Sequence, residues 1–153
     1  MDIPLASTSR IEKKPELVEA LKKVLPASSI IEDKAETLAY ECDALTAYRC
    51  PPMLVVLPET TAQVSEVLKL CHKMNIPVIP RGSGTSLAGG AMPSADSVVL
   101  GVSKMNSVLE TDYRNRFIRV QSGLTNIGVT NAVEDNGYFC LLYTSPSPRD
   151  GRI

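Results

Sequence analysis

The residues best suited to chemistry in this sequence form one glycine-rich loop, Arg81 to Gly90, which follows a short apolar run. The loop contains four glycines, two serines, one threonine and one arginine. Glycine lets the backbone adopt positive φ and approach a ligand closely, and successive N–H groups can then donate to several phosphate oxygens. The composition of the loop therefore predicts a binding site for a diphosphate.

Two common kinds of phosphate loop are excluded by the spacing. A Walker loop needs Lys followed by Ser or Thr after its last glycine, but Ala91 and Met92 follow Gly90. The dinucleotide fingerprint G-x-G-x-x-G needs a third small residue where this sequence has Leu87. Pro93 also interrupts any helix that would begin there. The sequence thus predicts a non-helical loop that binds phosphate through its own backbone.

The elements before the loop predict a βαβ unit. Met53–Leu57 and Val78–Ile79 are short apolar runs typical of buried strands. Between them Thr60 caps an amphipathic helix that ends at Asn75, and the apolar residues of this helix recur at helical spacing. They are Val64, Val67, Leu68, Cys71 and Met74. The glycine loop then follows the second strand, which is the usual position of a ligand loop.

The remaining elements complete an α+β fold. An amphipathic pattern predicts a helix over 15–25, and residues 34–40 are expected to add another short helix ahead of the βαβ unit. After the loop, 97–102 predicts a third strand, and 108–112 with 117–121 predicts a hairpin that makes the sheet mixed. Gly123 precedes a helix expected from about Thr125 to Asn136, with Ile127, Val129, Ala132 and Val133 available for burial.

Composition excludes several classes of protein. With 44% hydrophobic residues, 22% charged residues and a net charge of −1, the chain is typical of globular proteins and lacks the basic charge of a nucleic-acid-binding protein. No apolar run approaches a membrane span, and Met1–Arg10 lacks the order of a secretory signal, so a cytoplasmic location is expected. The four cysteines are widely separated and His72 is the only histidine, so no metal site is predicted and Cys71 is assigned to core packing.

Several separate stretches carry a resemblance to a known family. They are Tyr40–Asp43 with Leu45–Arg49, Pro52–Pro58, the segment PVIPRGSGTSLAGGAMP at 77–93, and Val120–Gly123. With these stretches in this order, the chain resembles the flavoprotein family of vanillyl-alcohol oxidase and p-cresol methylhydroxylase (PCMH). Within that family it resembles specifically the FAD-binding subunit of bacterial glycolate oxidase and the related D-lactate dehydrogenases. The resemblance covers roughly residues 30 to 139 and implies a partial PCMH-type FAD-binding domain.

The resemblance also implies which residues bind the cofactor. The pyrophosphate of FAD would be held by the backbone of five consecutive residues, Gly82, Ser83, Gly84, Thr85 and Ser86. Gly89 and Gly90 would let the chain pass close by. Arg81 would either neutralise the diphosphate or anchor the loop to a neighbouring strand, and the hydroxyls of Ser83, Thr85 and Ser86 would either donate to phosphate or cap the turn locally.

Thr85 stands where some relatives carry a histidine that tethers the flavin, so the resemblance implies non-covalent FAD. The implied function is the FAD-binding portion of a 2-hydroxyacid dehydrogenase or oxidase acting on glycolate or D-lactate. Partner subunits, including an iron–sulfur subunit, would take the electrons, and they would bring the protein to the inner membrane as a peripheral component. No residue here receives a catalytic role, because in relatives the substrate domain lies beyond this segment.

Three segments are expected along the chain. Residues 1–50 form a helical lead-in, 51–139 form the first part of the FAD-binding domain, and 140–153 form a proline-broken tail outside the family pattern. The tail resembles a translated sequencing-adapter sequence on a truncated protein, with a genuine flexible linker as the alternative. A stand-alone nucleotide- or phosphate-binding module without redox activity, or a fragment without function, are the alternative interpretations of the chain.

Overall fold

The computed structural model describes residues 6–140 of the chain. The chain divides into two compact units, Met1–Met105 and Asn106–Ile153. Apart from Cys140, the tail expected over 140–153 lies outside the described residues.

The first unit contains four α-helices and a four-stranded sheet among its described residues. The helices are α1 (Thr8–Ile11), α2 (Lys14–Leu21), α3 (Lys34–Thr37) and α4 (Thr61–Met74). The strands are β1 (Ile30–Ile31), β2 (Leu54–Val56), β3 (Val78–Arg81) and β4 (Val98–Gly101). Short 3₁₀ turns at Ala27–Ser29 and Leu38–Tyr40 precede β1 and follow α3.

The strand order of this sheet is β1-β2-β4-β3. β4 pairs in parallel with β2 on one side and β3 on the other, with Val99 opposite both Val55 and Ile79. The predicted strand, helix and strand are therefore present, but β4 lies between the two strands that α4 connects. β1 runs antiparallel to β2. The sheet is therefore mixed because of β1. The prediction that the later hairpin makes the sheet mixed was wrong.

Local signals explain the long helix α4. The Thr60 hydroxyl accepts from the N–H of Gln63, while the Gln63 side chain accepts from the N–H of Thr60. This capping box satisfies N–H groups that the first helical turn leaves without partners. Asn75 ends the helix in the left-handed conformation at φ 55°. Both predicted boundaries are confirmed.

One hydrophobic core joins α2 and α4 to the sheet. Its buried members are Leu17, Val18, Leu21, Leu25, Met53, Leu54, Val56, Val67, Cys71, Ile76, Val98 and Leu100. Cys71 is fully buried, as predicted, and burial raises the pKa of its thiol to about 11. Leu68 was expected on the same face but is 45% exposed, whereas Leu70 packs against the core.

The second unit contains a hairpin and a short helix. The strands β5 (Val108–Asp112) and β6 (Phe117–Val120) pair antiparallel as predicted, but they form a separate two-stranded sheet. Helix α5 spans Asn126–Asn131 and is capped by the Thr125 hydroxyl, which accepts from the N–H of Gly128. The predicted helix continued to Asn136, where the structure instead has a 3₁₀ turn, Glu134–Asn136, that ends at Gly137 with φ 75°. Val129 and Val133 are buried, but Ile127 is 59% exposed.

Two further features concern membranes and metals. Over residues 6–140, none of the helices has the length and apolar character that crossing a membrane requires. Within the same range, His, Cys, Asp and Glu side chains form no group of three or more that could hold a metal ion. His72 is exposed on α4.

Candidate cofactor-binding site

The glycine loop begins at Arg81, where β3 ends, and forms the first part of the connection to β4. Residues 82–97 contain neither helix nor strand, which confirms the predicted non-helical loop. The loop is attached to the sheet at its first residue, because the carbonyl of Arg81 accepts from the N–H of Val102 at 3.0 Å. The loop thus leaves β3 at the carboxyl edge of the parallel strands, where open α/β sheets bind ligands, before the chain returns to the opposite edge to enter β4.

The loop presents a run of backbone donors without internal partners. Within residues 6–140, no atom accepts a hydrogen bond from the N–H groups of residues 82–87. The first loop N–H with such a partner is that of Ala88, which donates to the Ser86 hydroxyl at 3.2 Å. Backbone N–H groups need an acceptor, so these donors are available to solvent or to a ligand. A diphosphate, with several anionic oxygens, matches such a run.

The glycines leave room for a ligand beside these donors. A Cβ placed on Gly82 or Gly90 would meet no other atom within 4 Å. Gly84 and Gly89 have φ of +72° and +75°, a conformation that residues other than glycine rarely adopt. The loop residues therefore fit a closely approaching phosphate group.

The guanidinium of Arg81 makes its contacts with other residues of the protein. Its Nη1 donates to the carbonyl oxygen of Cys42 at 2.6 Å, and its Cζ lies 5.5 Å from the centre of the Tyr40 ring. A Cβ on Gly84 would overlap the same guanidinium. Of the two roles that the sequence left open, these contacts match the anchoring role. The anchor is the segment before β2 rather than a neighbouring strand.

A second contact ties the loop to this segment. The carbonyl of Ser86 accepts from the N–H of Ala44 at 3.1 Å. The adjacent residue, Asp43, is 4% exposed, and its Oδ1 accepts from the N–H of Leu45 at 2.9 Å. Its Oδ2 is buried and has no hydrogen-bond partner within the described part of the chain.

The structure brings the sequence-predicted site residues together in one loop. Ser86 uses its hydroxyl to cap the turn, whereas the hydroxyls of Ser83 and Thr85 have no partner within residues 6–140. Reasoning from the residues alone missed the role of Tyr40, Cys42 and Ala44. For Tyr40 and Cys42 the signal was the resemblance of the segment Tyr40–Asp43, and Ala44 had none, since a segment without periodicity gives no local indication of what it contacts.

The comparison with known families decides the nature of the ligand. Residues 52–148 match a family described as "FAD binding domain". The chain belongs to this FAD-binding family. The predicted cofactor, FAD, is therefore confirmed at the level of the family.

Individual relatives agree with this assignment. The glycolate oxidase subunit GlcD of Escherichia coli (strain K12) is 39% identical over 129 residues, which cover 84% of this chain and 25% of that protein. The D-lactate dehydrogenase of Anaerostipes hadrus is 32% identical over 135 residues, covering 88% of this chain and 27% of that protein. The chain spans about a quarter of the length of these relatives.

A solved structure shows the same fold. A crystal structure of p-cresol methylhydroxylase with substrate bound superposes with a TM-score of 0.72 at 18% identity, covering 86% of this chain and 26% of that one. The predicted partial PCMH-type domain is thus confirmed as a fold.

Proposed function

We propose that this chain is the FAD-binding portion of a flavin-dependent 2-hydroxyacid dehydrogenase or oxidase that acts on glycolate or D-lactate. The loop Arg81–Gly90 holds the FAD pyrophosphate. The observation that carries this assignment is the run of N–H groups over 82–87 that have no acceptor within residues 6–140, in a member of the FAD-binding family. The relatives named for glycolate and D-lactate support the substrate class.

Within the loop, the residues differ in role. The backbone of Gly82–Ser86 donates to the phosphate oxygens, and Gly89 and Gly90 keep the returning chain clear of the ligand. The hydroxyls of Ser83 and Thr85 are free to add donors. FAD binds non-covalently at this loop, because the hydroxyl of Thr85 cannot form the linkage that a histidine forms.

Bound FAD would supply the acceptor for a hydride from the α-carbon of the 2-hydroxy acid. The chain's own contribution is to bind and orient the phosphate end of the cofactor. The E. coli relative is named as a subunit, which supports assembly with partner subunits. The proposed route for the electrons runs through such partners, an iron–sulfur subunit among them. The location that follows is cytoplasmic, with peripheral attachment to the inner membrane through those partners.

A titration of the purified chain with FAD, followed by flavin fluorescence, tests the assignment. The Gly82→Ala variant should bind FAD at least about tenfold more weakly, because the added methyl occupies space that the diphosphate needs. Its urea midpoint should equal that of the wild type, since this methyl meets no atom of the chain. Ser65→Ala, at an exposed position on α4, is the control: it should leave FAD affinity unchanged and raise the urea midpoint only slightly, because alanine is the better helix former.

Two outcomes would contradict the proposal. One is a wild-type chain that folds cooperatively and binds ADP but shows no yellow absorbance after soaking in FAD and desalting. That result would favour a nucleotide-binding module without redox activity. The other is undiminished FAD affinity in Gly82→Ala, which would place the diphosphate elsewhere.

A further inference from the structure

We propose that Arg81 and Tyr40 are positioning residues of the diphosphate loop. The guanidinium fixes the loop from within and makes no contact with the phosphates of the ligand. This inference rests on the proposed function of the loop and deepens it. Tyr40 precedes residue 52, the first residue that matches the FAD-binding family, so the site extends beyond the matched domain.

The first argument is the set of contacts that the guanidinium makes. A planar cation that donates to the Cys42 carbonyl while lying near the face of the Tyr40 ring is held in both position and orientation. Within residues 6–140, Arg81 forms no salt bridge with a carboxylate. The contacts with Cys42 and Tyr40 use one N–H group and the face of the guanidinium, and they fix its position within the protein.

The second argument is the place of the guanidinium beneath the loop. It fills the space that a side chain at residue 84 would need. Gly84 can therefore pack its backbone against the cation while keeping φ at +72°. The conformation that exposes the neighbouring N–H groups thus depends on where Arg81 lies.

The third argument is that hydrogen bonds hold the segment 82–87 near both of its ends. Arg81 binds Cys42 at one end, and Ser86 accepts from Ala44 near the other end. The Asp43 side chain stabilises the turn between these two contacts through the N–H of Leu45. A loop held in its binding conformation loses less entropy when the ligand binds. Loosening either tie should therefore weaken FAD binding even though neither partner contacts the ligand.

Variants at Tyr40 separate positioning from phosphate contact. The Tyr40 hydroxyl has no hydrogen bond with the described residues, so Tyr40→Phe keeps every interaction and should bind FAD like the wild type. Tyr40→Leu removes the ring and should raise the Kd for FAD about fivefold. The rescue by Phe distinguishes a role of the ring face from a general need for a large side chain.

Variants at Arg81 provide a second test of the inference. Arg81→Lys keeps the charge but lacks the planar fork, so it should bind FAD as weakly as Arg81→Met. The double variant Tyr40→Leu/Arg81→Met should be no weaker than Arg81→Met alone, because the two residues act as a unit. The dependence of the Kd on salt concentration should be the same in Arg81→Met and in the wild type, because no phosphate charge is neutralised by this residue.

The inference is overturned if Arg81→Lys restores wild-type affinity while Arg81→Met loses both affinity and salt dependence, which would show phosphate contact. Unchanged affinity in Tyr40→Leu would overturn it as well. If Tyr40→Leu shows no cooperative urea transition, the FAD affinities of Arg81→Lys and Arg81→Met decide whether the inference stands. A wild-type chain that folds but fails to bind FAD would instead refute the proposed function, so the two failures are distinguishable.

Discussion

At the scale of single residues, Gly84 is the position where backbone and packing both require glycine. Its φ is +72°, and a Cβ would overlap the guanidinium of Arg81. We expect Gly84→Ala to lower the free energy of unfolding by about 1–2 kcal/mol, because the backbone becomes strained and Arg81 is displaced. FAD affinity should fall at least about tenfold, because the N–H groups lose their arrangement. Urea denaturation and FAD titration measure the two effects.

Gly90→Ala is the control for the stability measurement. Its Cβ meets nothing within 4 Å and its φ is not in the left-handed range, so its unfolding curve should match that of the wild type. Equal stability in Gly84→Ala would show that the loop adjusts without strain and would contradict the role assigned to this glycine.

Only some features of this loop could be predicted from the sequence. The glycines and the absence of a Walker lysine are local features, so the kind of loop could be predicted. The role of Arg81 could not, because it depends on Tyr40 and Cys42, which lie on a distant, non-periodic segment. Only the folded chain brings these residues within reach of the guanidinium.

At the scale of elements, α4 connects β2 to β3 and its start depends on one hydroxyl. The Thr60 hydroxyl accepts from the N–H of Gln63 at 3.2 Å. Thr60→Ala removes this acceptor and should lower the free energy of unfolding by about 1 kcal/mol. Thr60→Ser keeps the hydroxyl and should unfold at nearly the wild-type urea concentration. Equal destabilisation by Ser and Ala would show that the methyl group, and not the cap, matters.

The elements themselves were largely predictable, but their arrangement was not. The capping box and the apolar runs are properties of adjacent residues, so α4 and the strands could be assigned locally. The insertion of β4 between β2 and β3 is a long-range pairing. Pro80 was an available signal, because a proline inside a strand favours the edge of a sheet, and β3 is an edge strand in the structure. The separate hairpin sheet carried no comparable signal.

At the scale of the whole molecule, long-range contacts join the two ends of the first unit. Asp96, just before the central strand β4, is 2% exposed. Its carboxylate accepts from the N–H of Ser7 at 3.0 Å, from Nη1 of Arg10 at 2.9 Å and from the Ser94 hydroxyl at 2.7 Å. The segment around α1 is thereby fixed to the segment that leads from the glycine loop into the sheet.

The buried Asp96 carboxylate makes the stability of the protein depend on pH. Burial alone would raise the pKa of Asp96, but hydrogen bonds from Ser7, Ser94 and Arg10 together lower it from 3.8 to about 2. A pKa below that of the unfolded chain stabilises the fold above pH 3.8, and this stabilisation is lost as the pH falls towards 2. The shift corresponds to about 2 kcal/mol.

Asp96→Asn should therefore unfold more easily than the wild type at pH 7, by about 2 kcal/mol, and the difference should shrink steadily between pH 4 and pH 2. Comparing the two proteins in urea at each pH cancels the titration of the other carboxylates. Ser94→Ala removes one of the donors and raises the pKa of Asp96 in the folded chain, so its acid-induced loss of stability should be smaller and should end at a higher pH than that of the wild type. The difference should shrink because a protonated aspartic acid, like asparagine, offers the donors no negative charge. A difference between Asp96→Asn and the wild type that stays constant down to pH 2 would mean that shape, and not charge, is what Asp96 contributes.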